Sequence, residues 1–231
     1  MQPPVVADQA RDCVASVAGR GHAELCDQGL GDLRFRALLS APDWDALSPA
    51  VRRRFSRRLA GGMTAVYVGR VTETRMSGAG WCLAQAARLI GAPLPLGRDH
   101  DVAAVVAVTE DRSGGGQNWT RLYARRAGFP QIIHSAKRFA GPTGLEEYVG
   151  YGVGMALTVH VAPGALVFRS AGYFVQLFGR RLAWPAWLSP GRLTVTHGAC
   201  DDGAFTFTLD LVHPRVGGLI RQTATFREAA P

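Results

Sequence analysis

The sequence predicts an α+β protein that is mostly β: a curved antiparallel sheet or partly closed barrel of about nine strands, with N-terminal helices and one inserted helix covering the sheet. Three observations support this fold class. From residue 64 onward, β-branched and aromatic residues alternate with polar residues at a period of two. The connections between these segments are too short for repeated parallel crossovers, so neighbouring strands should pair antiparallel. One interior segment has a helical pattern, and nine linked strands tend to curl or close beneath such a cover.

The length and composition fit one folded domain. The chain has 231 residues, 47% of them hydrophobic, which is enough to bury a sizeable core. We expect a single β-rich domain over residues 31–231 and a loosely ordered extension over residues 1–30, which lack a sustained amphipathic period. No apolar run is long enough for a transmembrane helix, and the N-terminus does not resemble a signal peptide. We therefore expect a cytoplasmic protein without a membrane span.

The sequence predicts two helices before the first strand and one helix after it. The residues around Phe35 predict a short helix that ends before Pro42, and Ser48-Pro49 predicts the capped start of a second helix. The interior helix is predicted over residues 77–90, because a glycine and a proline follow it. Its predicted apolar stripe consists of Trp81, Ala84, Ala87 and Ile90.

The rest of the chain is read as strands joined by short turns. The nine predicted strands cover residues 64–76, 101–110, 117–125, 131–139, 153–161, 165–176, 193–197, 204–213 and 219–226. The clearest hairpin joins the fifth of these to the sixth through Pro163-Gly164.

The net charge of +8 is concentrated in one short run. Five arginines fall within seven residues: Arg52, Arg53, Arg54, Arg57 and Arg58. Such a run is compatible with binding to nucleic acid or to another anionic surface. Because aromatic residues and repeated basic segments are missing beside it, a solvated helix face is the favoured interpretation, and we do not expect nucleic acid as a partner.

Familiar cofactor and metal motifs are missing from the sequence. Residues 150–154 are glycine-rich, but they lead into a period-two strand, whereas a dinucleotide loop must open a helix. The four cysteines lie far apart, and none belongs to a C-x-x-C pair. We therefore expect neither a cofactor nor a bound metal.

Polar residues on apolar strands mark the candidate site. Trp119, Arg121 and Tyr123 share one face of a predicted strand, where two aromatic rings and a guanidinium could orient an anionic or carbonyl-bearing ligand. Lys137 and the pair Glu146 and Glu147 lie on either side of the next turn, as a candidate acid–base group or as a structural ion pair. The further candidate ligand-binding residues are His134, Tyr148, Arg169, Tyr173 and His213.

Four segments carry a family resemblance. They are the W-T-R-x-Y strand at residues 119–123, the glutamate before a glycine at residues 147–150, the W-L-x-P turn at residues 187–190 and the proline–glycine break at residues 213–217. Together they resemble a bacterial family known as domain of unknown function 4166, over about residues 35–228. The chain departs from that pattern at Gln222, where tyrosine is typical. The resemblance implies the fold but no established activity. Related domains occur fused to reductase-like domains, so we expect this chain to act alone or in a complex, with biosynthetic enzymes as candidate partners.

Two functions stay open. The first is binding of a hydrophobic small molecule, such as a lipid, polyketide or terpenoid, in a barrel cavity capped by the interior helix, with or without turnover. The second is a cofactor-free isomerase or cyclase on the same scaffold. There, Glu147 would act as acid or base, Arg121 and Lys137 would stabilise an enolate or carboxylate, and Tyr123 would donate a hydrogen bond. A non-catalytic carrier or accessory module is the alternative to both. Binding of nucleic acid or another anionic surface through the arginine run is a separate possibility.

Overall fold

A closed antiparallel β-barrel of ten strands, with one further strand outside it, forms most of the protein. The computed structural model describes residues 31–200 and 202–229. The expected extension over residues 1–30 lies outside the described residues. The fold class predicted from the sequence is confirmed, and the described part of the chain has eleven strands where about nine were expected.

The strands follow one another around the barrel in nearly sequential order. Their bounds are β1 Thr64–Met76, β2 Val102–Asp111, β3 Gly116–Tyr123, β4 Gln131–Arg138, β5 Glu146–Gly150, β6 Val153–Ala162, β7 Ala165–Leu177, β8 Arg180–Ala183, β9 Arg192–Ala199, β10 Phe205–His213 and β11 Gly217–Glu228. Pairing runs from β6 back through β1 to β11, then through β10 and β9 to β7, and β6 pairs with β7. Every one of these pairs is antiparallel, as short connections require.

The strand β7 changes partner halfway along its length. Its first half pairs with β9 up to Arg169, and its second half pairs with β8 from Phe174 onward. Between β7 and β9, side chains bridge the resulting split: Ser170 Oγ accepts from the Leu193 amide at 3.0 Å, and Tyr173 donates to the Gly191 carbonyl at 2.9 Å. β8 therefore lies outside the barrel.

The two strands absent from the sequence prediction have weak period-two patterns. β5 has five residues, of which two are adjacent glutamates, so its alternation is obscured. In β8 all four residues are exposed, because a strand outside the barrel has no face in the core.

Three α-helices close the two ends of the barrel: α1 Ala41–Ala46, α2 Pro49–Ser56 and α3 Gly78–Ala86. Short 3₁₀ turns span Arg36–Leu38, Ala87–Ile90 and Ala186–Leu188. The expected short helix before Pro42 is present as the 3₁₀ turn Arg36–Leu38, whereas α1 is absent from the sequence prediction. Pro42 lies in the first turn of α1, where its missing N–H is not needed, and Ser40 caps that helix.

One end of the barrel is plugged by α2, and the arginine run belongs to this plug. The Arg54 guanidinium lies 3.5 Å from the centre of the Phe205 ring, while Arg57 pairs with Glu228. The run is therefore not a uniformly solvated face, since Arg54 is largely buried over an aromatic ring. We call this end the plugged end.

The opposite end is covered by α3, as the sequence predicted. Ser77 caps the helix by accepting from the Gly80 amide at 3.1 Å. The buried positions are Gly80, Ala84 and Ala87, whereas Trp81 is half exposed, so its expected place in the buried stripe is wrong. Small residues bring the helix close to the barrel and turn the bulky indole outward. We call this end the lid end.

Candidate functional site

An apolar cavity of about 340 Å³ lies beneath α3, inside the lid end of the barrel. Its roof comes from the lid: Leu83, Ala86, Ala87, Leu89, Ile90 and the loop residues Pro93, Leu94 and Pro95. Most of its walls are inward-facing aliphatic side chains, among them Ile133, Val149, Met155, Leu193, Val195 and Leu211. Inward positions alternate with outward ones along each strand, which is why the period-two pattern produces this apolar lining.

The lid is held by a close backbone approach at Gly80. A Cβ atom on Gly80 would lie 2.1 Å from the carbonyl oxygen of Leu219 in β11. The amide of Ser77 donates to the same carbonyl at 3.0 Å. A larger residue at position 80 would push α3 away from the barrel and change the roof of the cavity.

The inner end of the cavity is polar and charged. Glu147 Oε1 lies 3.3 Å from Arg121 Nη2, and Glu147 Oε2 lies 3.1 Å from Lys137 Nζ. Arg121 Nη2 also donates to Ser135 Oγ at 3.2 Å. Three neighbouring strands, β3, β4 and β5, bring these residues together because their inward positions are in register. We call Arg121, Ser135, Lys137 and Glu147 the polar floor.

The charged groups of the polar floor are almost completely removed from solvent. The exposed fractions of Lys137, Glu147 and Arg121 are 2%, 5% and 9%. Burial raises the pKa of Glu147, but Lys137 and Arg121 more than compensate and lower it to about 2. Burial lowers the pKa of Lys137, and ionised Glu147 opposes that shift. Glu147 is therefore ionised and lies between Lys137 and Arg121 as their shared counter-ion.

His197 lies below the polar floor within an aromatic shell. Its ring centre is 5.3 Å from those of Phe55 and Phe207, and 5.6 Å from that of Phe168. Burial and the nearby cations Arg54, Lys137 and Arg121 lower its pKa well below the ordinary value. The imidazole is therefore neutral and does not offset the charge of the floor.

The polar floor pairs two basic groups with a single carboxylate. Two cations, Arg121 and Lys137, face one carboxylate, Glu147, and His197 is neutral. Of the two cations, Arg121 also lines the cavity, and within the described residues its Nε is buried without a hydrogen-bond partner. A buried donor without a partner is costly, so this guanidinium retains an unused hydrogen-bond donor.

Several residues named from the sequence meet at this site. Arg121, Tyr123, Glu147 and Tyr173 line the cavity, and Lys137 lies directly beneath Glu147. Burial raises the pKa of Tyr123, so its hydroxyl stays protonated. Trp119 does not line the cavity; its ring lies 4.8 Å from Lys137 Nζ and supports that ammonium from below.

The other named residues lie apart from the polar floor. His134 borders the cavity, but its imidazole is exposed and bonded to Thr120. The neighbours of Glu147 along β5 point the other way: Tyr148 donates to Glu146 at 2.9 Å, and Arg181 pairs with Glu146. Arg169 faces a separate outer groove of about 630 Å³. His213 accepts from the amides of the turn after β10 and does not line the cavity.

Sequence reasoning missed three inward residues of the barrel: Ser135, His197 and Gln222. His197 is the last residue of the predicted strand 193–197 and shares parity with Leu193 and Val195, so the alternation within that strand would have found it. Gln222 was noted as a departure from the family pattern, and it lines the cavity and donates to Thr74. Ser135 shares parity with Lys137 on β4.

The described residues contain neither a metal-binding cluster nor a membrane-spanning helix. Over residues 31–200 and 202–229, no three histidine, cysteine, aspartate or glutamate side chains group as a metal ion would require. The helices in the same residues are too short or too polar to cross a bilayer.

Comparison with known proteins gives one match. Searches of curated proteins and of solved structures found no significant similarity. A family model described as Domain of unknown function (DUF4166) matches residues 47–226. That range includes α2, all of the strands except the end of β11, and every residue of the polar floor. The chain therefore belongs to the DUF4166 family, a domain family of unknown function.

Proposed function

We propose that the protein binds a small apolar molecule that carries a single anionic group, preferably a carboxylate. The apolar body fills the cavity under α3, and the carboxylate accepts hydrogen bonds from Arg121. One arrangement carries the proposal: at the inner end of an apolar cavity two basic groups share one carboxylate, and Arg121, which lines that cavity, has an Nε without a hydrogen-bond partner among the described residues.

The electrostatic argument rests on desolvation. An unbalanced charge inside a protein is unfavourable unless a counter-charge reaches it, and Glu147 is already shared between two cations. A ligand carboxylate next to Arg121 would complete two cation–carboxylate pairs. The planar guanidinium is also well suited to a carboxylate, because it offers parallel N–H donors.

The cavity volume limits the size of the ligand. A volume of 340 Å³ holds roughly eleven water-sized units of about 30 Å³ each. It falls near the lower end of the range of about 300–1,000 Å³ that is typical of small-molecule pockets. A medium-chain fatty acid or a small terpenoid or polyketide acid matches this size.

Binding is better supported than proton transfer. A general acid or base works best when its pKa lies near the operating pH, but Glu147 has a pKa of about 2 and is held by two cations. An isomerase or cyclase that used Glu147 would have to break these pairs first. Glu147 fits the role of a fixed counter-ion that positions Arg121 and Lys137.

The experiment compares two ligands that differ in the head group. Isothermal titration calorimetry is performed with decanoate and with 1-decanol, on the wild type and on Arg121→Met. We expect the wild type to prefer decanoate at least tenfold, because a charged hydrogen bond contributes about 1.5–3 kcal/mol. Arg121→Met should lose that preference and still bind 1-decanol.

The matched control is Arg169→Met, which removes an arginine from the outer groove. It should leave both affinities unchanged. Absence of binding by both molecules, or a decanoate preference that survives Arg121→Met, would contradict the proposed function.

A further inference from the structure

The two hairpin turns beside the cavity each carry an aromatic residue in the left-handed conformation. Tyr151 precedes Gly152 in the turn between β5 and β6, and Phe178 precedes Gly179 in the turn between β7 and β8; φ is +48° at both aromatic residues. Such turns favour asparagine, aspartate or glycine, since a bulky side chain is disfavoured there. The two rings are 80% and 96% exposed. They add little to the core, so the conformational cost is not recovered by packing.

These turns lie next to each other and next to the lid. A Cβ atom on Gly152 would lie 2.3 Å from the carbonyl oxygen of Gln176, two residues before Phe178. A Cβ atom on Gly150 would lie 2.7 Å from the carbonyl oxygen of Ile90, at the end of the lid. Both aromatic tips therefore project from the lid end of the barrel.

Other exposed apolar side chains extend this patch around the opening of the cavity. We call the patch the mouth surface; it consists of Leu89, Tyr151, Phe178, Trp187 and Leu188. Leu89 and Leu188 are exposed and also line the cavity, so the opening lies between them. Exposed apolar patches of this kind mark interaction sites.

The two acidic residues of the lid loop, Asp99 and Asp101, pair with Arg125 and Arg70, and the rest of the surrounding surface is predominantly basic. Residues 112–200 contain ten basic and two acidic residues. The two acidic residues, Glu146 and Glu147, are both buried, so the surface of this segment carries no carboxylate side chain. Arg88, Arg180 and Arg192 are exposed at the lid end. The mouth surface is thus apolar and aromatic, with a positively charged margin.

We propose that the mouth surface docks onto an anionic lipid bilayer, with Tyr151 and Phe178 inserted at the level of the headgroups. Tyrosine and tryptophan favour the membrane interface, and arginine is attracted to anionic lipid headgroups. In this orientation the cavity opens toward the bilayer. An apolar molecule can then move between the membrane and the barrel without crossing water. Docking can be measured without any cavity ligand and does not depend on which molecule binds there.

The test is flotation of the protein with vesicles of phosphatidylcholine, with or without phosphatidylglycerol. We expect binding to the vesicles that contain phosphatidylglycerol and a decrease as salt is added. The double variant Tyr151→Asn/Phe178→Asn should bind at least tenfold more weakly. Its melting temperature should be equal or higher, because asparagine before glycine is the preferred sequence of such turns. Since loss of fold would lower the melting temperature, the two readouts separate docking from stability.

The control variant is Leu33→Asn, which removes an exposed leucine near the plugged end and should bind vesicles like the wild type. Three vesicle results would overturn the proposal: no binding of the wild type to vesicles that contain phosphatidylglycerol, equal binding by the double variant, or loss of binding by Leu33→Asn. A fourth result would also overturn it: if the wild type and the double variant bind a DNA duplex equally, the positive surface is assigned to nucleic acid.

Discussion

Replacing Glu147 with glutamine tests the charge balance of the polar floor most directly. The substitution keeps the size of the side chain and removes the one carboxylate shared by Arg121 and Lys137. The difference between a pKa of 4.5 and one of about 2, at about 1.36 kcal/mol per pH unit, corresponds to about 3 kcal/mol. Removing one partner of a buried ion pair typically costs about 3–5 kcal/mol. We therefore expect Glu147→Gln to lower the free energy of unfolding by about 3 kcal/mol at neutral pH.

The difference in unfolding free energy between the wild type and Glu147→Gln should depend on pH, because the pKa of Glu147 is lowered in the folded protein. The carboxylate contributes stability above its unfolded pKa, near 4.5, and loses that contribution as the pH falls toward about 2. The difference in unfolding free energy between the two proteins should therefore decrease as the pH falls over this range. Urea unfolding at a series of pH values measures it. The matched control is Glu146→Gln on the same strand, which should cost less because its partner Arg181 is 39% exposed and can be hydrated.

Ligand binding should respond in the opposite direction from stability. With glutamine at position 147, Arg121 and Lys137 have no carboxylate between them, and a bound decanoate would supply one. Decanoate should therefore bind Glu147→Gln at least as tightly as it binds the wild type. If Glu147→Gln is no less stable than Glu146→Gln, or if the stability gap does not change with pH, the assignment of Glu147 as a shared buried counter-ion is refuted.

Two further substitutions test the ends of the barrel. Arg54→Met removes the guanidinium over Phe205 and should lower the free energy of unfolding by urea by about 1–2 kcal/mol. Arg53→Met changes an exposed position and should alter that free energy by no more than about 0.5 kcal/mol. Equal effects of the two substitutions would show that the plug does not depend on Arg54. Gly80→Ala places a Cβ atom 2.1 Å from a carbonyl oxygen of β11 and should weaken decanoate binding by displacing the lid, whereas Gly78→Ala meets no atom within 4 Å and should not. Unchanged decanoate affinity in Gly80→Ala would contradict the role of α3 as the roof.

Much of the candidate site was within reach of sequence reasoning, because parity along a strand is a local property. Trp119, Arg121 and Tyr123 share a face of β3, and that face points into the barrel, as the interpretation of these residues as a pocket wall required. The choice between Glu146 and Glu147 follows the same rule. Adjacent residues on a strand point to opposite faces, and Glu147 shares parity with the apolar residues Leu145 and Val149, so the pattern favours Glu147 on the inward face.

The functional interpretation of Glu147 depended on distances that no local pattern contains. Burial alone would raise its pKa and make it a plausible acid or base, whereas two cations within 3.3 Å lower it to about 2. Those cations come from β3 and β4, and their approach depends on the register of three strands.

The sequence by itself determined most of the secondary structure: period-two alternation specifies strands, serine and proline specify helix starts, and short connections require antiparallel pairing. These are properties of neighbouring residues, so they can be recognised in the sequence. Only the tertiary structure decided that the sheet closes between β6 and β7 and that α2 plugs one end with Arg54 over Phe205. It also decided that Glu147 lies between Arg121 and Lys137. Barrel closure and ion pairing join residues far apart in sequence, and their geometry depends on strand tilt and register, which cooperative packing sets.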